Sequence, residues 1–381
     1  MIDTVSRVRA RRKMRTVGVF RSLLVMVVLA LLVAACGDGG GTTDTTEASD
    51  DAGDTTAAGG DDTTVADGAT TMAASEEMTE LTVMLPVDSP NMYGFRVADA
   101  NGYFEKEGLD VTMEFVDGSG AAIQLLLAGT GQIASVGTGT VAEALEQGHD
   151  DIRAIGNTNY GSVFFLTVPT DSDIETPADL EGAQIGISEL SGGEVPVVRG
   201  IVEGAGFDVE TDVELVPIGA GTALAVQAIE NDQVDAYGGS INDVIAVEVQ
   251  GLDLRTLDPG DLGEVPALPL VTTQSVIDAD PDSIEGFLRA VARGAEFGQT
   301  NPDETLAILM EQSPEQFTDE TGELIFEAVL DLWMPPEGVL FHEQSVESWE
   351  HFFDIIAAEV PEGTDLDTVI VDDFVEAAND F

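Results

Sequence analysis

Six short apolar runs along this chain each end in a loop of small or polar residues, and a helical pattern begins directly after each loop. In the first unit, residues 81–85 are apolar, a helix is predicted from about Met92 to Phe104, and a second β-rich run starts at Val111. Strand, loop and helix in this order build open, mostly parallel sheets, whose ligand crevices lie beyond the carboxyl ends of the strands. The six loops cover residues 86–93, 117–120, 137–140, 188–193, 217–222 and 238–243. The sequence therefore predicts an α/β fold.

The six loops share one kind of chemistry. Their glycines let the backbone approach a ligand closely, and their Ser, Thr and Asn side chains can cap the helix that follows. Free N–H groups at a helix start attract negative or carbonyl-bearing groups. Any one loop is explained equally well as an ordinary helix cap. Six of them at equivalent strand ends favour a ligand crevice.

An internal repeat links two of these loops. Residues 132–153 recur in type at residues 233–255, each copy reading as a β-run, a helix, Gln-Gly and a final Asp-x-Arg. The offset from 132 to 233 is 101 residues, which is too long for a solenoid repeat. We interpret the repeat as one α/β lobe used twice, and we expect the loops 137–140 and 238–243 to face each other.

The chain is expected to pass between the two lobes twice. A strand rich in Phe and Val over residues 162–168 leads into the second lobe, and residues 266–273 lead back to the first. From Pro281 to the end the apolar pattern is helical. The predicted parts are the first lobe (81–166), the second lobe (167–265) and the return strand with extra C-terminal helices (266–381).

Residues 1–35 are predicted to be a secretory signal peptide. Seven Lys and Arg residues precede an uncharged apolar run over 22–35, and this run of 14 residues is short for a membrane span, which needs about 20. The ending Val-Ala-Ala-Cys resembles a bacterial lipobox, in which Cys36 becomes the lipidated first residue. The alternative is a short anchor with a chance cysteine. Because Cys36 is the chain's sole cysteine, disulfides, cysteine metal sites and a thiol nucleophile are excluded.

Residues 36–80 are predicted to be a disordered, acidic tether between lipid and domain. Residues 37–80 are rich in Thr, Ala, Gly and acids and contain no Lys or Arg, so they cannot bury enough apolar surface to order themselves. Without residues 1–35 the chain keeps seven bases against 71 acids, a net charge of about −64. This charge disfavours nucleic acid and anionic membrane surfaces as partners. The excess of acidic residues reflects either adaptation to high salt, which screens their repulsion, or a surface that is acidic only to keep the protein soluble.

The segment Asn101–Val111, NGYFEKEGLDV, resembles a signature of the form GYF-x-x-x-G-[LI]-D-V. That signature belongs to ABC-importer solute-binding proteins of the sulfonate, nitrate, taurine and thiamine-pyrimidine-precursor type, and the likeness covers about residues 81–313. The resemblance implies the type II periplasmic-binding-protein fold, with two lobes around a central cleft. It also implies an extracytoplasmic monomer that passes its ligand to a membrane permease with a cytoplasmic ATPase, and the lipobox-like ending predicts that Cys36 anchors it to the membrane. A sensory module that reports to a receptor would use the same lobes and is the alternative.

Enzyme chemistry has no signature in the sequence. No HExxH motif, G-x-S-x-G elbow, Walker loop or complete dinucleotide fingerprint is present, and we expect no cofactor and no metal. The histidines His149, His342 and His351 are far apart, and His342 with Glu343 is expected at a solvated helix start. One branch of the family is a thiamine-pyrimidine-synthesis enzyme marked by a cysteine-rich motif and an active-site histidine, which this chain lacks. We therefore expect a binding protein.

Three tyrosines and one arginine are more specific candidates for ligand contact than the loop residues. Tyr93, Tyr160 and Tyr237 fall at predicted cleft positions, where rings from opposing lobes can sandwich a planar ligand. The family resemblance implies an aromatic residue at the position of Arg96. Arginine there can hold a carboxylate, sulfonate or phosphate, although pairing with Asp99 or Glu143 explains it as well.

We expect a ligand that is either a small organic anion such as a sulfonate or a planar nitrogen heterocycle such as a pyrimidine or flavin. The predicted ligand-binding residues are Asp88, Tyr93, Arg96, Ser119, Thr138, Gly139, Thr140, Tyr160, Ser191, Gly192, Gly193, Thr222, Tyr237, Ser240, Asn242 and Asp243.

Overall fold

The computed structural model describes residues 78–258, 266–355 and 364–381. The predicted signal peptide, the lipidation of Cys36 and the predicted tether up to residue 77 lie outside these ranges. In the described part of the chain, no helix has the length and apolar character needed to cross a membrane.

The first sheet has five strands in the described chain, in the order β2-β1-β3-β10-β4. Its strands are β1 (Thr79–Leu85), β2 (Leu109–Phe115), β3 (Ile133–Ser135), β4 (Ile152–Asn157) and β10 (Pro269–Thr273). Strand β1 pairs in parallel with β2 and β3, whereas β10 lies antiparallel between β3 and β4. The first sheet is therefore mixed, with one reversed strand next to its edge.

The second sheet has the same plan, in the order β7-β6-β8-β5-β9. Its strands are β5 (Phe164–Pro169), β6 (Gln184–Ile187), β7 (Glu214–Pro217), β8 (Ala236–Ser240) and β9 (Leu254–Thr256). Strand β6 pairs in parallel with β7 and β8, and β5 lies antiparallel between β8 and β9. Each sheet thus receives its reversed strand from the chain segment that follows the other sheet.

The internal repeat predicted from the sequence is confirmed by these strand orders. Strands β3 and β8 begin the two copies and both occupy the third position of their sheets, and β4 and β9 both occupy the fifth. The two predicted chain crossings are also present, because β5 joins the second sheet and β10 joins the first.

Helices follow most strands. In the first lobe they are α1 (Tyr93–Ala100), α2 (Tyr103–Lys106), α3 (Gly118–Leu127) and α4 (Thr138–Glu146). In the second lobe they are α5 (Val195–Gly204), α6 (Ala223–Glu230) and α7 (Ile241–Val249). After β10 come α8 (Gln274–Ala279), α9 (Pro281–Thr300), α10 (Pro302–Gln312), α11 (Thr321–Val329), α12 (Val346–Ile355), α13 (Leu366–Val369) and α14 (Val375–Ala378).

The first helix is shorter than the sequence predicted. It starts at Tyr93 after a 3₁₀ turn (Pro90–Met92), and it ends at Ala100 rather than at Phe104. Gly102 has φ +62°, a left-handed conformation that glycine adopts at little cost, and a new short helix begins at Tyr103. The single predicted helix is therefore two.

The C-terminal helices bury their apolar faces mainly on the first lobe. Helix α9 packs along α1 and α2, where the Phe287 ring contacts the rings of Phe95 in α1 and Phe104 in α2. Two of these helices also reach the second lobe. Helix α11 packs against α7, and α12 places Phe352 in the core of the second lobe while Trp349 and Phe353 lie in a core of the first.

Candidate functional site

A cavity of about 400 Å³ lies between the two sheets. Loops of both lobes line it at the carboxyl ends of their strands, which is where open α/β sheets hold ligands. The lobes touch beside it, since Ser89 Oγ of the first lobe donates to Asn242 Oδ1 of the second lobe over 2.8 Å. Seven of the predicted residues line the cavity: Ser119, Gly192, Gly193, Thr222, Ser240, Asn242 and Asp243.

Asn91 is a lining residue that the sequence prediction missed. It is 2% exposed, and its Oδ1 has no hydrogen-bond partner in the described part of the chain. Its backbone is held firmly, because the N–H donates to Ser89 Oγ (3.1 Å) and the carbonyl accepts from Trp333 Nε1 (2.9 Å). A buried acceptor without a donor is unfavourable unless something fills that role. The available signal was its place in the first loop, directly after the Ser-Pro helix start.

Glu194 forms a second polar feature of the cavity and was also missed. It is 3% exposed, and its Oε1 accepts from the Ser188 N–H over 2.8 Å and contacts the Ser188 hydroxyl. The carboxylate also accepts from the backbone N–H of Glu194 itself. Burial raises the pKa of the Glu194 carboxyl, and the nearby charge of Asp243 adds to this increase.

Asp243 is held in a similar way at the start of α7, another helix of the second lobe. Its Oδ2 accepts from the Ser240 N–H (2.9 Å) and the Ser240 hydroxyl (2.6 Å), which forms a capping box at the start of α7. Burial raises the pKa of its carboxyl despite these hydrogen bonds. Its Oδ1 has no partner among the described residues. The second lobe therefore presents the carboxyl groups of Glu194 and Asp243 to the cavity.

Two further acids and one aromatic ring also line the cavity. Asp117 and Glu189 line the cavity from opposite lobes, and Phe164 of β5 supplies an apolar wall. None of the described residues that line the cavity is a Lys, Arg or His. Groups of three or more His, Cys, Asp or Glu arranged to hold a metal ion are also absent from the described residues. The site is thus acidic, with an apolar side.

Tyr93 does not reach the cavity, contrary to the prediction. Its ring is fully buried in the core of the first lobe, 4.9 Å from the Trp333 ring and 5.6 Å from the Phe326 ring. Burial raises the pKa of its hydroxyl, which has no hydrogen-bond partner among the described residues. The helix α1 turns this side chain away from the loop that precedes it.

The other two predicted tyrosines also lie outside the cavity. Tyr160 Oη donates to the Leu340 carbonyl (3.1 Å) and accepts from the His342 N–H (2.7 Å), so it ties the first crossover to the C-terminal segment. Tyr237 is buried beneath the loop 217–222, where its Oη accepts from the Gly221 N–H (2.9 Å) and donates to the Gly219 carbonyl (3.1 Å). The prediction that tyrosine rings of the two lobes sandwich a ligand is therefore wrong for this cavity.

Arg96 and Asp88 neutralise each other rather than lining the cavity. Arg96 Nη2 lies 2.6 Å from Asp88 Oδ1, and its guanidinium stacks 4.3 Å above the Phe115 ring. Ser313 Oγ also donates to Asp88 Oδ1 over 3.1 Å. The sequence analysis offered a salt bridge of Arg96 as the alternative to ligand binding. Arg96 does form a salt bridge, but its partner is Asp88 instead of Asp99 or Glu143.

The loop 137–140 occupies a different place from the one predicted. A Cβ on Gly139 would lie 2.4 Å from Pro196, so this loop abuts the start of α5 rather than the loop 238–243. Thr138 and Gly139 line a much smaller space beside the main cavity, and Thr140 is buried in α4. Ser191 is exposed and does not line the cavity.

His342 is buried rather than solvated, which corrects another prediction. It is 2% exposed, and its ring nitrogens face the Asn157 carbonyl (3.1 Å) and the Leu288 carbonyl (2.9 Å). Burial lowers the pKa of the His342 imidazole to about 4.

Comparison with known proteins places the chain beside small-molecule binders. A family model described as NMT1/THI5 like matches residues 89–305, which is more than half of the chain. The formylaminopyrimidine-binding protein of Halalkalibacterium halodurans is 29% identical over 262 residues, covering 67% of this chain and 77% of that protein. The riboflavin-binding protein RibY of Chloroflexus aurantiacus is 23% identical over 222 residues, covering 58% of this chain and 62% of that protein. Both relatives are named as binding proteins rather than enzymes.

Solved structures agree on the architecture. The periplasmic aliphatic sulphonate binding protein SsuA from Escherichia coli has a TM-score of 0.61 and 17% identity, covering 77% of this chain and 92% of that one. At this identity the likeness establishes the fold alone. The predicted α/β periplasmic-binding-protein fold with two lobes is confirmed.

Proposed function

The chain belongs to the NMT1/THI5-like family, and on this premise we propose that it is the solute-binding component of an ABC importer. The observation that carries this proposal is a cavity shared by two lobes, in which the buried Asn91 acceptor lacks a donor. A bound solute that donates to Asn91 of the first lobe and also contacts the lining loops of the second lobe would join the lobes and favour their closed arrangement.

The acidic lining favours a nitrogen heterocycle over an anion. A sulfonate or nitrate in the cavity would meet four carboxyl groups, those of Asp117, Glu189, Glu194 and Asp243, without a cation among the described lining residues. Like charges at close range in a partly buried site repel strongly. Ring N–H and amino groups instead donate to carboxylate oxygens, which in the ionised form act as acceptors and not as donors. The carboxyl groups of Glu194 and Asp243, which line the cavity, suit such donors.

The apolar side of the cavity favours a flat ligand. Phe164 provides a ring face, and Val163, Leu268 and Met92 add apolar surface. A planar ring that stacks on an aromatic side chain gains roughly 0.5–1.5 kcal/mol beyond its buried area. The relatives named for formylaminopyrimidine and riboflavin bind planar nitrogen heterocycles, which supports this class for the present chain.

Export and anchoring complete the proposal. The basic and apolar residues 1–35 would direct secretion, and lipid on Cys36 would hold the domain at the outer face of the cell membrane. There it would meet a permease with its cytoplasmic ATPase. The domain would act as a monomer, without nucleic acid or cofactor.

Titration calorimetry on the mature chain tests the ligand class. The probes are formylaminopyrimidine, riboflavin, an alkanesulfonate and nitrate. We expect a heterocycle to bind and to be recovered unchanged, and the two anions to give no heat of binding. Arg96→Ala is the matched control, because Arg96 pairs with Asp88 of the first loop yet lies outside the cavity lining. Binding of the alkanesulfonate that is lost in Arg96→Ala would overturn the assignment, and conversion of a heterocycle to product would indicate an enzyme.

A further inference from the structure

Behind the Phe164 ring lies a second, much smaller space between the lobes. Its volume is about 10 Å³, and it is lined by Thr138, Gly139, Val197 and Phe352 among others. Phe164 and Gly193 line both this rear space and the main cavity. The Phe164 side chain is therefore a partition between two compartments of one interlobe gap.

The partition is seated between two glycines, one from each lobe. A Cβ on Gly193 would lie 2.6 Å from Phe164 Cζ, and a Cβ on Gly137 would lie 3.3 Å from Phe164 Cε2. Contacts this short leave no room for a side chain at Gly193, so its lack of a Cβ is what allows the ring to occupy this place. The ring itself is half-buried, unlike the fully buried aromatic rings of the cores.

The backbone beneath the ring is fixed, so that only the side chain can move. Phe164 pairs with Ser240 in the second sheet. Ser162 Oγ accepts from the Phe164 N–H (3.1 Å) and donates to the Phe164 carbonyl (2.7 Å). The half-buried Phe164 side chain can rotate while these backbone hydrogen bonds stay intact.

We propose that Phe164 is a specificity-determining residue that sets the length of ligand the cleft accepts. This inference rests on the proposed function. With the ring in place, a single-ring heterocycle fits against it in the main cavity. With the ring displaced or removed, the two compartments join. The end of a fused-ring heterocycle then reaches the apolar surface of Phe352 and the side chain of Thr138, whose hydroxyl donates to the Pro266 carbonyl.

Access to the rear space can be measured without any ligand. Cys36 is the sole cysteine, so the full chain carrying Cys36→Ser and Thr138→Cys has one thiol, placed in the rear space. The neutral reagent 4,4′-dithiodipyridine reports its reaction by absorbance. We expect Phe164→Ala to accelerate labelling by about tenfold or more, because a thiol reacts only when exposed to the reagent. Phe165→Ala is the matched control, since Phe165 is the neighbouring phenylalanine and lines neither space; it should leave the rate unchanged.

The ligand preference gives the second readout. Removing the ring should raise the affinity for riboflavin relative to formylaminopyrimidine by roughly tenfold, a typical discrimination for apolar bulk in a pocket. Phe164→Leu, which keeps some of the bulk, should lie between Phe164→Ala and the parent and serves if the alanine variant does not fold.

The outcomes separate the two proposals. Equal labelling rates in the parent, Phe164→Ala and Phe165→Ala would overturn the partition even if heterocycles bind. Faster labelling in Phe164→Ala, with no binding of either heterocycle to any variant, would support the partition and overturn the proposed ligand class.

Discussion

Phe352 and Phe353 are adjacent in sequence, yet their rings are buried in the cores of different lobes. Their centroids lie 6.4 Å apart with ring planes at 76°, Phe352 among residues of the second lobe and Phe353 among residues of the first. Both are almost fully buried, at 2% and 1% exposure. Helix α12 thus ties the two lobes together from behind the cleft.

Alanine at these two positions should have equal costs in stability but different effects on shape. Each substitution should lower the free energy of unfolding by about 3–5 kcal/mol, the usual cost of removing a buried phenylalanine ring. Phe352→Ala should also let the lobes separate, because the helix keeps its first-lobe anchors while losing its second-lobe anchor. Small-angle scattering of the ligand-free protein should show a larger radius of gyration for Phe352→Ala than for Phe353→Ala. Identical radii would contradict a tie through α12.

Asn91→Ala should weaken ligand binding by about 1–3 kcal/mol, the cost of leaving a buried hydrogen-bonding group of the ligand unpaired. Stability of the free protein should hardly fall, because Oδ1 of Asn91 makes no hydrogen bond there with the described residues. Calorimetric titration with the ligand class found for the parent measures this. Asn157→Ala is the matched control, because Asn157 Oδ1 is also buried without a described partner but lies outside the cavity lining. Equal losses of affinity in both variants would argue against a ligand contact at Asn91.

The sequence predicted the architecture well because backbone patterns are local. The order of strand, small-residue loop and helix, together with the 132–153 and 233–255 copies, was enough to give two equivalent sheets and two crossings. Side-chain directions depend on distant segments instead. Tyr93 packs on Trp333, 240 positions later, and Phe164 is held by glycines of two separate loops. Residue type alone therefore mispredicted the tyrosines and missed Asn91, Glu194 and Phe164.

The carboxyl group of Asp243 should make stability fall as pH rises. Burial raises its folded-state pKa above the ordinary aspartate value of 3.8, so the folded protein binds more protons than the unfolded chain above that pH. Stability from this group is complete below the unfolded pKa and is lost as pH rises through the folded one. Asp243→Asn should therefore gain stability relative to the parent between pH 4 and pH 8, measured by urea unfolding at both values.

Asp179 provides a control of opposite sign. Hydrogen bonds from the Thr176 N–H and hydroxyl lower the pKa of its exposed carboxyl, so its contribution is present above the ordinary value of 3.8 and is lost below it. Asp179→Asn should thus show no gain over the parent on raising the pH from 4 to 8. A gain of equal size in both variants would indicate general charge repulsion rather than burial of Asp243.

His342 should make the protein sensitive to mild acid. Burial lowers its pKa to about 4 from the ordinary 6.5, so the unfolded chain takes up a proton first as the pH falls. The stabilising contribution is therefore complete above pH 6.5 and is lost as the pH falls through about 4. Thermal unfolding between pH 7 and pH 4 should show a decline in the parent that is smaller in His342→Asn, where asparagine tolerates the left-handed φ of +70°. An imidazole that titrates near 6.5 by NMR would contradict this.

Removing one hydroxyl from each of two buried tyrosines should have opposite consequences. Tyr237 Oη accepts from the Gly221 N–H and donates to the Gly219 carbonyl, so Tyr237→Phe leaves a buried N–H without its acceptor and should cost about 1–3 kcal/mol. Tyr93 Oη has no hydrogen-bond partner among the described residues, so Tyr93→Phe should be neutral or stabilising.

Ligand affinity should follow the same division between the two tyrosines. Gly219, Ala220 and Thr222 line the cavity directly above Tyr237, and loosening their loop should weaken binding although Tyr237 touches no ligand. Tyr93→Phe should leave affinity unchanged, because its ring packs within the first lobe. Urea unfolding and calorimetric titration on both variants measure the two effects. An affinity loss in Tyr93→Phe with none in Tyr237→Phe would indicate that Tyr93 contacts the ligand and that Tyr237 does not support the loop that lines the cavity.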